Sequence, residues 1–175
     1  AGCRASRAVA DAGAVAEQLG IPHLVVEAGS AFEREVAEPF VAAYLDGRTP
    51  NPCLACNARV KFGLLLRQAE ARGAAHLATG HYARLDRDAA TGRVLLRRAH
   101  DLRKDQSYFL SRLSQEQLGA ALFPLGALRK TETRRLAAEF GLPVADKAES
   151  QEACFAGGDY RAYLRRRAAA AFTPG

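Results

Sequence analysis

The 175-residue chain has no methionine and no tryptophan, and only four cysteines. Without Met, residue 1 is no translation start, and the chain reads as an internal piece of a longer protein. Four cysteines are too few for a secreted disulfide scaffold. No apolar run approaches the roughly 20 residues that span a bilayer, and the N-terminus lacks the basic-then-apolar pattern of a signal peptide. Repeats, linkers and low-complexity tracts are also missing. These absences point to a cytoplasmic protein with no membrane partner, in which cysteine serves metal, cluster or catalytic sulfur chemistry. The apolar fraction of 49% and charged fraction of 25% are ordinary for a soluble globular chain, and the length suits one domain with a real core. The net charge of +6 permits an anionic partner, although a solvated basic surface accounts for it equally well. Arg outnumbers Lys, which suits phosphate contacts but also suits a GC-rich coding sequence.

Helices and strands alternate. Val9, Ala12, Ala16 and Leu19 share a helical face over Ser6 to Leu19, and Gly20 and Pro22 stop that helix. His23–Glu27 reads as a short buried strand. Ser30-x-x-Glu33 reads as a capping box for a helix that Pro39 divides and that ends near Asp46. Phe62, Leu65, Leu66 and Ala69 form a helical stripe ending at Gly73. Strands are expected over Ala75–Thr79 and, after an Asp88-to-Gly92 turn, over Arg93–Arg97. Short helices follow, one capped by Ser114-x-x-Gln117 and another ending at Gly141-Leu142-Pro143; Asp159 opens a terminal helix carrying Arg165–Arg167. Helix, Gly, apolar residue, Pro, strand occurs twice, which argues for α/β with a parallel sheet.

The richest stretch is Gly47-Arg48-Thr49-Pro50-Asn51-Pro52-Cys53-Leu54-Ala55-Cys56-Asn57. Two prolines two apart make the loop extended and stiff. Asn57 is expected to open a helix, whose N-terminus would lower the pKa of a thiol placed on it. A third cysteine lies in Ser150-Gln151-Glu152-Ala153-Cys154-Phe155. Three readings of Cys53, Cys56 and Cys154 stand together: a catalytic pair carrying persulfide, a 4Fe–4S cluster on three cysteines, and a zinc site completed by Cys3 or a His. A surface proline turn with incidental cysteines is the plain alternative. His23, His76 and His100 have no partner pattern.

Further blocks are Val60-Lys61-Phe62, Ala78-Thr79-Gly80-His81-Tyr82-Ala83-Arg84, Lys104-Asp105-Gln106-Ser107-Tyr108-Phe109-Leu110 and Leu122-Phe123-Pro124-Leu125-Gly126. With the Pro/Cys loop and Cys154-Phe155 they occur in one order over nearly the whole chain. In that order they resemble the tRNA-specific 2-thiouridylases, which place sulfur on the wobble uridine of tRNA. The resemblance implies a truncated Rossmann-like α/β fold of the adenine-nucleotide α-hydrolase (pyrophosphatase-loop) type. Residues 1–157 would be a partial ATP-pyrophosphatase domain, and 158–175 the start of a connection to a downstream domain. The family's phosphate-binding loop and its C-terminal β domains are not in the chain.

The same resemblance implies site roles. Cys154 matches the persulfide carrier and Cys56 the nucleophile that closes a disulfide with it. Gly80 matches an ATP contact. Asn51, Pro52, Cys53, His81, Lys104, Asp105 and Gln106 match tRNA contacts. Cys53 departs from the commoner Asp; a thiol does not replace a carboxylate, and the change completes a CxxC that a cluster could use. The implied cofactor is ATP with Mg²⁺. The implied partners are the tRNA anticodon loop and a sulfur-donor protein delivering persulfide. On the residues alone, Gly80-His81 at a strand end suits nucleotide approach, and Lys104-Asp105-Gln106 ahead of two aromatics suits RNA. A strand-ending turn and a helix cap over core aromatics explain the two segments equally.

Overall fold

The computed structural model describes residues 3–143 and 153–168, the side chains of residues 3–6 excepted. The side chain of Cys3, the stretch 150–152 and the closing Phe172–Gly175 therefore lie outside the described residues. The architecture is α/β, with a parallel strand pair as expected. Helix α1 spans Cys3–Gln18. A long helical run follows, made of α2 (Gly29–Phe32), a π-helical segment Glu33–Ala37 and α3 (Glu38–Leu45). A second run joins α4 (Pro52–Ala55), a π segment Cys56–Leu65 and α5 (Leu66–Glu70). Strands β1 (Leu77–Ala78), β2 (Ala83–Arg87) and β3 (Val94–Arg98) come next. A 3₁₀ turn Ser107–Leu110, α6 (Gln115–Gly119), β4 (Ala121–Leu122), α7 (Lys130–Glu139) and α8 (Tyr160–Arg167) complete the order.

Strands β1 and β4 pair parallel, Leu77 opposite Ala121, and the Thr79 amide extends the ladder to Leu122 O at 3.0 Å. Strands β2 and β3 form an antiparallel hairpin. Its turn is held by Asp88, whose Oδ1 accepts from Ala90 N and Thr91 N. Phe62, Ala83, Leu110, Leu113, Leu118 and Ala121 form the core between the second helical run and the strands. A separate aromatic cluster joins the first run to α8. Phe155 meets Phe32 and Phe40 with ring centroids 5.3 Å away from each, and Tyr163 at 5.2 Å.

Four local expectations change. His23–Glu27 is not a strand. Residues 21–28 have no regular structure, and Leu24 and Val25 are 64% and 58% exposed; a strand exists only through the ladder with a neighbour, and no described strand pairs with this segment. The Ser30–Glu33 capping box is not made, because the helix begins at Gly29 with Ala28 before it and no side-chain cap; Glu33 instead pairs with Arg167. Pro39 does not divide its helix. Pro39 lies at the start of α3, directly after the π segment Glu33–Ala37, and the helical run passes through it. Of the apolar face expected on α1, Ala16 is buried while Val9 and Leu19 stay open, since no described element covers them. The Ser114–Gln117 box and the Asp159 cap form as expected.

Candidate functional site: a thiol cluster beside a buried histidine

The Pro/Cys loop is a helix start. Asn51 Oδ1 accepts from the Cys53 amide at 3.1 Å, and Pro52 occupies the first helical position, the arrangement that an Asn-Pro pair favours. The helix thus begins before the cysteines, not at Asn57. Asn57 is inside it and buried, with Nδ2 donating to Phe109 O at 2.9 Å. Its Oδ1 is also buried and has no hydrogen-bond partner among the described residues.

Cys53 is exposed in the first turn, and Cys56 is half-buried one turn on. Cys154 is exposed in the turn 153–158 ahead of α8. That turn is pinned by its neighbour Phe155, seated in the aromatic cluster. The effect is to hold Cys154 near enough to act electrostatically on the other two. Although Cys53 is exposed, partial desolvation by the surrounding atoms pushes its thiol up, the Cys154 thiol pushes it further, and Lys61 opposes. Burial likewise raises Cys56; Lys61 opposes that, and Cys154 and Cys53 add to it. Both shifts run opposite to the lowering expected of a thiol at a helix N-terminus, and desolvation, which disfavours the thiolate, is the largest cause of each. All three are free thiols. They influence one another, but no three His, Cys, Asp or Glu side chains among the described residues are arranged to hold a metal ion. The described residues alone fit neither zinc nor an iron–sulfur cluster as they stand, and a zinc site completed by Cys3 lies outside them.

Gly80 and His81 follow β1. A methyl built on Gly80 would meet only Leu125 Cδ1, at 3.7 Å, an ordinary contact. The fold therefore gives no local reason for glycine there. His81 is only 8% exposed. Its ring lies near Phe62 and Phe123, and its Nδ1 is 2.8 Å from Thr79 Oγ1. Burial, with help from the Lys61 charge, lowers its pKa to about 4, so the imidazole is neutral at pH 7. In this position it does not face solvent.

Lys104, Asp105 and Gln106 form a loop clamped to the start of β2. Gln106 Oε1 accepts from Tyr82 N at 2.9 Å, and Gln106 N donates to Tyr82 O at 2.8 Å. Asp105 accepts from Ala99 N and from the Ser107 hydroxyl, bonds that outweigh burial and hold its carboxyl below the usual range. The clamp leaves Tyr108 61% exposed, edge-on to Phe109. Tyr108 and Lys61 are the two residues of the site region to which the sequence assigned no role. Both lay in the quoted blocks, but exposure and a π turn are not legible in residue order.

The model of the tRNA methyl transferase HUP domain matches residues 1–158. The chain belongs to that family. The HUP domain here is also similar to curated proteins called tRNA-specific 2-thiouridylase MnmA. It is 54% identical to the one from Moorella thermoacetica over 175 residues, 99% of this chain and 49% of that protein. It is 52% identical to the one from Heliobacterium modesticaldum over 167 residues, 95% of this chain and 43% of that protein. The chain thus spans about half the length of the curated relatives it matches. Among the described residues, no helix of this HUP domain is long and apolar enough to cross a membrane.

Proposed function

We propose that the chain is the sulfur-transfer part of a cytoplasmic enzyme that thiolates C2 of the tRNA wobble uridine at the expense of ATP. The single observation that carries this reading is that Cys154, about a hundred residues away in sequence, acts electrostatically on both Cys53 and Cys56. The C2 oxygen of uridine attacks the α-phosphorus of ATP, pyrophosphate leaves, and the oxygen becomes part of a good leaving group. The outer sulfur of a persulfide on Cys154, charged by a sulfur-donor protein, then bonds to C2. The Cys56 thiolate attacks the inner sulfur of Cys154. The S–S bond of the persulfide breaks, its electron pair stays with the sulfur on C2, and AMP departs with the original oxygen. Two thiols have been oxidised to a Cys56–Cys154 disulfide, which an external dithiol reopens.

In this reading Gly80 lets the nucleotide approach the backbone, and Mg²⁺ accompanies ATP. Asn51, Pro52 and Cys53 present the loop to the target base. Lys104, Asp105 and Gln106 meet tRNA through the face that is left after their internal bonds. His81 reaches RNA only if its aromatic surroundings open. The catalytic unit covers residues 1–157, and 158–175 lead toward the rest of the protein. Flipping the wobble base costs little because it is already single-stranded.

The test is thiouridine formation by the full-length protein. Cys154→Ser and Cys56→Ser are each expected to abolish it, while Cys53→Asp keeps substantial activity. An active Cys154→Ser enzyme would overturn the assignment. A cluster on Cys53, Cys56 and Cys154 is the competing outcome. Iron that copurifies anaerobically and is lost with activity in Cys53→Asp would establish it.

A further inference from the structure

We propose that Lys61 is the cation that holds anionic sulfur at this thiol site, and that Gln117 positions it by locking the π turn shared by Lys61 and Cys56. The inference rests on the thiol-site reading above. In an α-helix, residues five apart lie about 140° around the axis, so the spacing of Cys56 and Lys61 would separate them. Over Cys56–Leu65 the backbone is instead π-helical, with bonds from residue i to i+5. With about 4.4 residues per turn, residues five apart then lie only about 50° apart around the axis, on the same side of the helix. At the end of the segment Leu66 N is shared between Gly63 O and Lys61 O, the latter five residues back.

The charges agree with this placement. Lys61 bears on Cys53, on Cys56 and on His81. The other groups facing Cys56 are the Cys154 and Cys53 thiols, and His81 is neutral. Among the described residues, Lys61 is the one cation acting on both thiols of the CxxC.

A π segment is rare and needs support. Gln117 supplies it: Nε2 donates to Ala58 O and to Phe62 O, each at 2.9 Å. Its Oε1 accepts from Ser114 N at 3.0 Å, which fixes the side chain at the start of α6. Gly63 belongs to the same arrangement, since a Cβ there would lie 3.1 Å from Ala58 O. The buried Asn57, Val60 and Phe62 orient the segment against the core, leaving Cys56 and Lys61 half-buried.

The experiment uses the reduced full-length protein. Alkylation at Cys56 is followed by peptide mass spectrometry with neutral iodoacetamide and with anionic iodoacetate. The iodoacetate rate divided by the iodoacetamide rate rises with local positive charge. Lys61→Gln is expected to lower the ratio roughly two- to fivefold, the range of a partly exposed charge pair, and Lys61→Arg to retain it. Gln117→Leu should lower it too, although Lys61 is intact. In the wild type, about 1 M salt should bring the ratio toward the Lys61→Gln value, because the Debye length is then about 3 Å. A wild-type ratio indifferent to salt, or a Lys61→Gln ratio equal to wild type, would overturn the role of Lys61. A fall in Lys61→Gln without one in Gln117→Leu would overturn the role of Gln117. Failure of the thiol-site reading itself shows separately, as thiouridine formation by Cys154→Ser.

Discussion

Gly126 and Gly80 lie close together in the fold, yet substitution should affect them in opposite ways. A Cβ on Gly126 would sit inside the Ala83 carbonyl, 2.7 Å from its carbon and 3.0 Å from Arg84 Cγ. Ala83 is fully buried at the start of β2, so neither backbone can move without disturbing the core. Gly126 O also accepts from His100 N at 2.9 Å, a bond that the shift would stretch. Overpacking costs about 1–3 kcal/mol, and the bond adds about 1 kcal/mol. Gly126→Ala should therefore destabilise by roughly 2–4 kcal/mol. At about 2–4 °C per kcal/mol for a chain of this size, Tm should fall on the order of 10 °C. Gly80→Ala has only Leu125 Cδ1 at 3.7 Å to meet, so its stability should change by less than about 1 kcal/mol, while ATP affinity of the full-length protein drops. Urea and thermal melts of both variants, with ATP titration of the second, read all of this. A Gly126→Ala protein within about 0.5 kcal/mol of wild type would refute the packing argument, and unchanged ATP affinity in Gly80→Ala would refute the nucleotide role.

His81 makes stability depend on pH. Its folded pKa of about 4 is below the ordinary 6.5, so between these values the unfolded chain binds more protons. Stability should fall as pH drops from about 6.5 to 4, by roughly 3 kcal/mol at most. His81→Leu should flatten that window. Asp88, Asp101 and Asp105, all lowered from 3.8, lose their contributions below it; an unchanged slope in the variant would show that burial of His81 is not the cause. Tyr108→Ala should leave Tm unchanged, since the ring is exposed. It should weaken anticodon stem-loop binding by the full-length protein on the order of tenfold or more, the loss of one stacked base. Equal affinity would remove Tyr108 from the RNA surface.

Much of the local structure was legible in residue order, because its causes are local. Gly20, Gly47, Gly73 and Gly141 end their helices with φ near +60° to +85°, a conformation that glycine adopts freely. Ser114 and Gln117 close their box within one turn. The Asn51-Pro52 cap is equally local, an Asx side chain followed by proline at the first helical position. The failures were those of partnership. His23–Glu27 has the composition of a strand, but a strand is made by its neighbour.

By itself, then, the sequence determined the α/β class, the helix ends, the order of the motif blocks and which residue types were on hand for sulfur chemistry. Tertiary structure decided which of them meet. Phe155 packs among the aromatics of the first helical run and α8 and so holds Cys154 where it acts electrostatically on Cys53 and Cys56, a proximity that no spacing encodes. A π register, stitched by a glutamine more than fifty residues away, sets where Lys61 points. The neutrality of His81 likewise depends on the rings around it. Burial and long-range charge are properties of the whole packed chain, because they depend on what excludes water from each group.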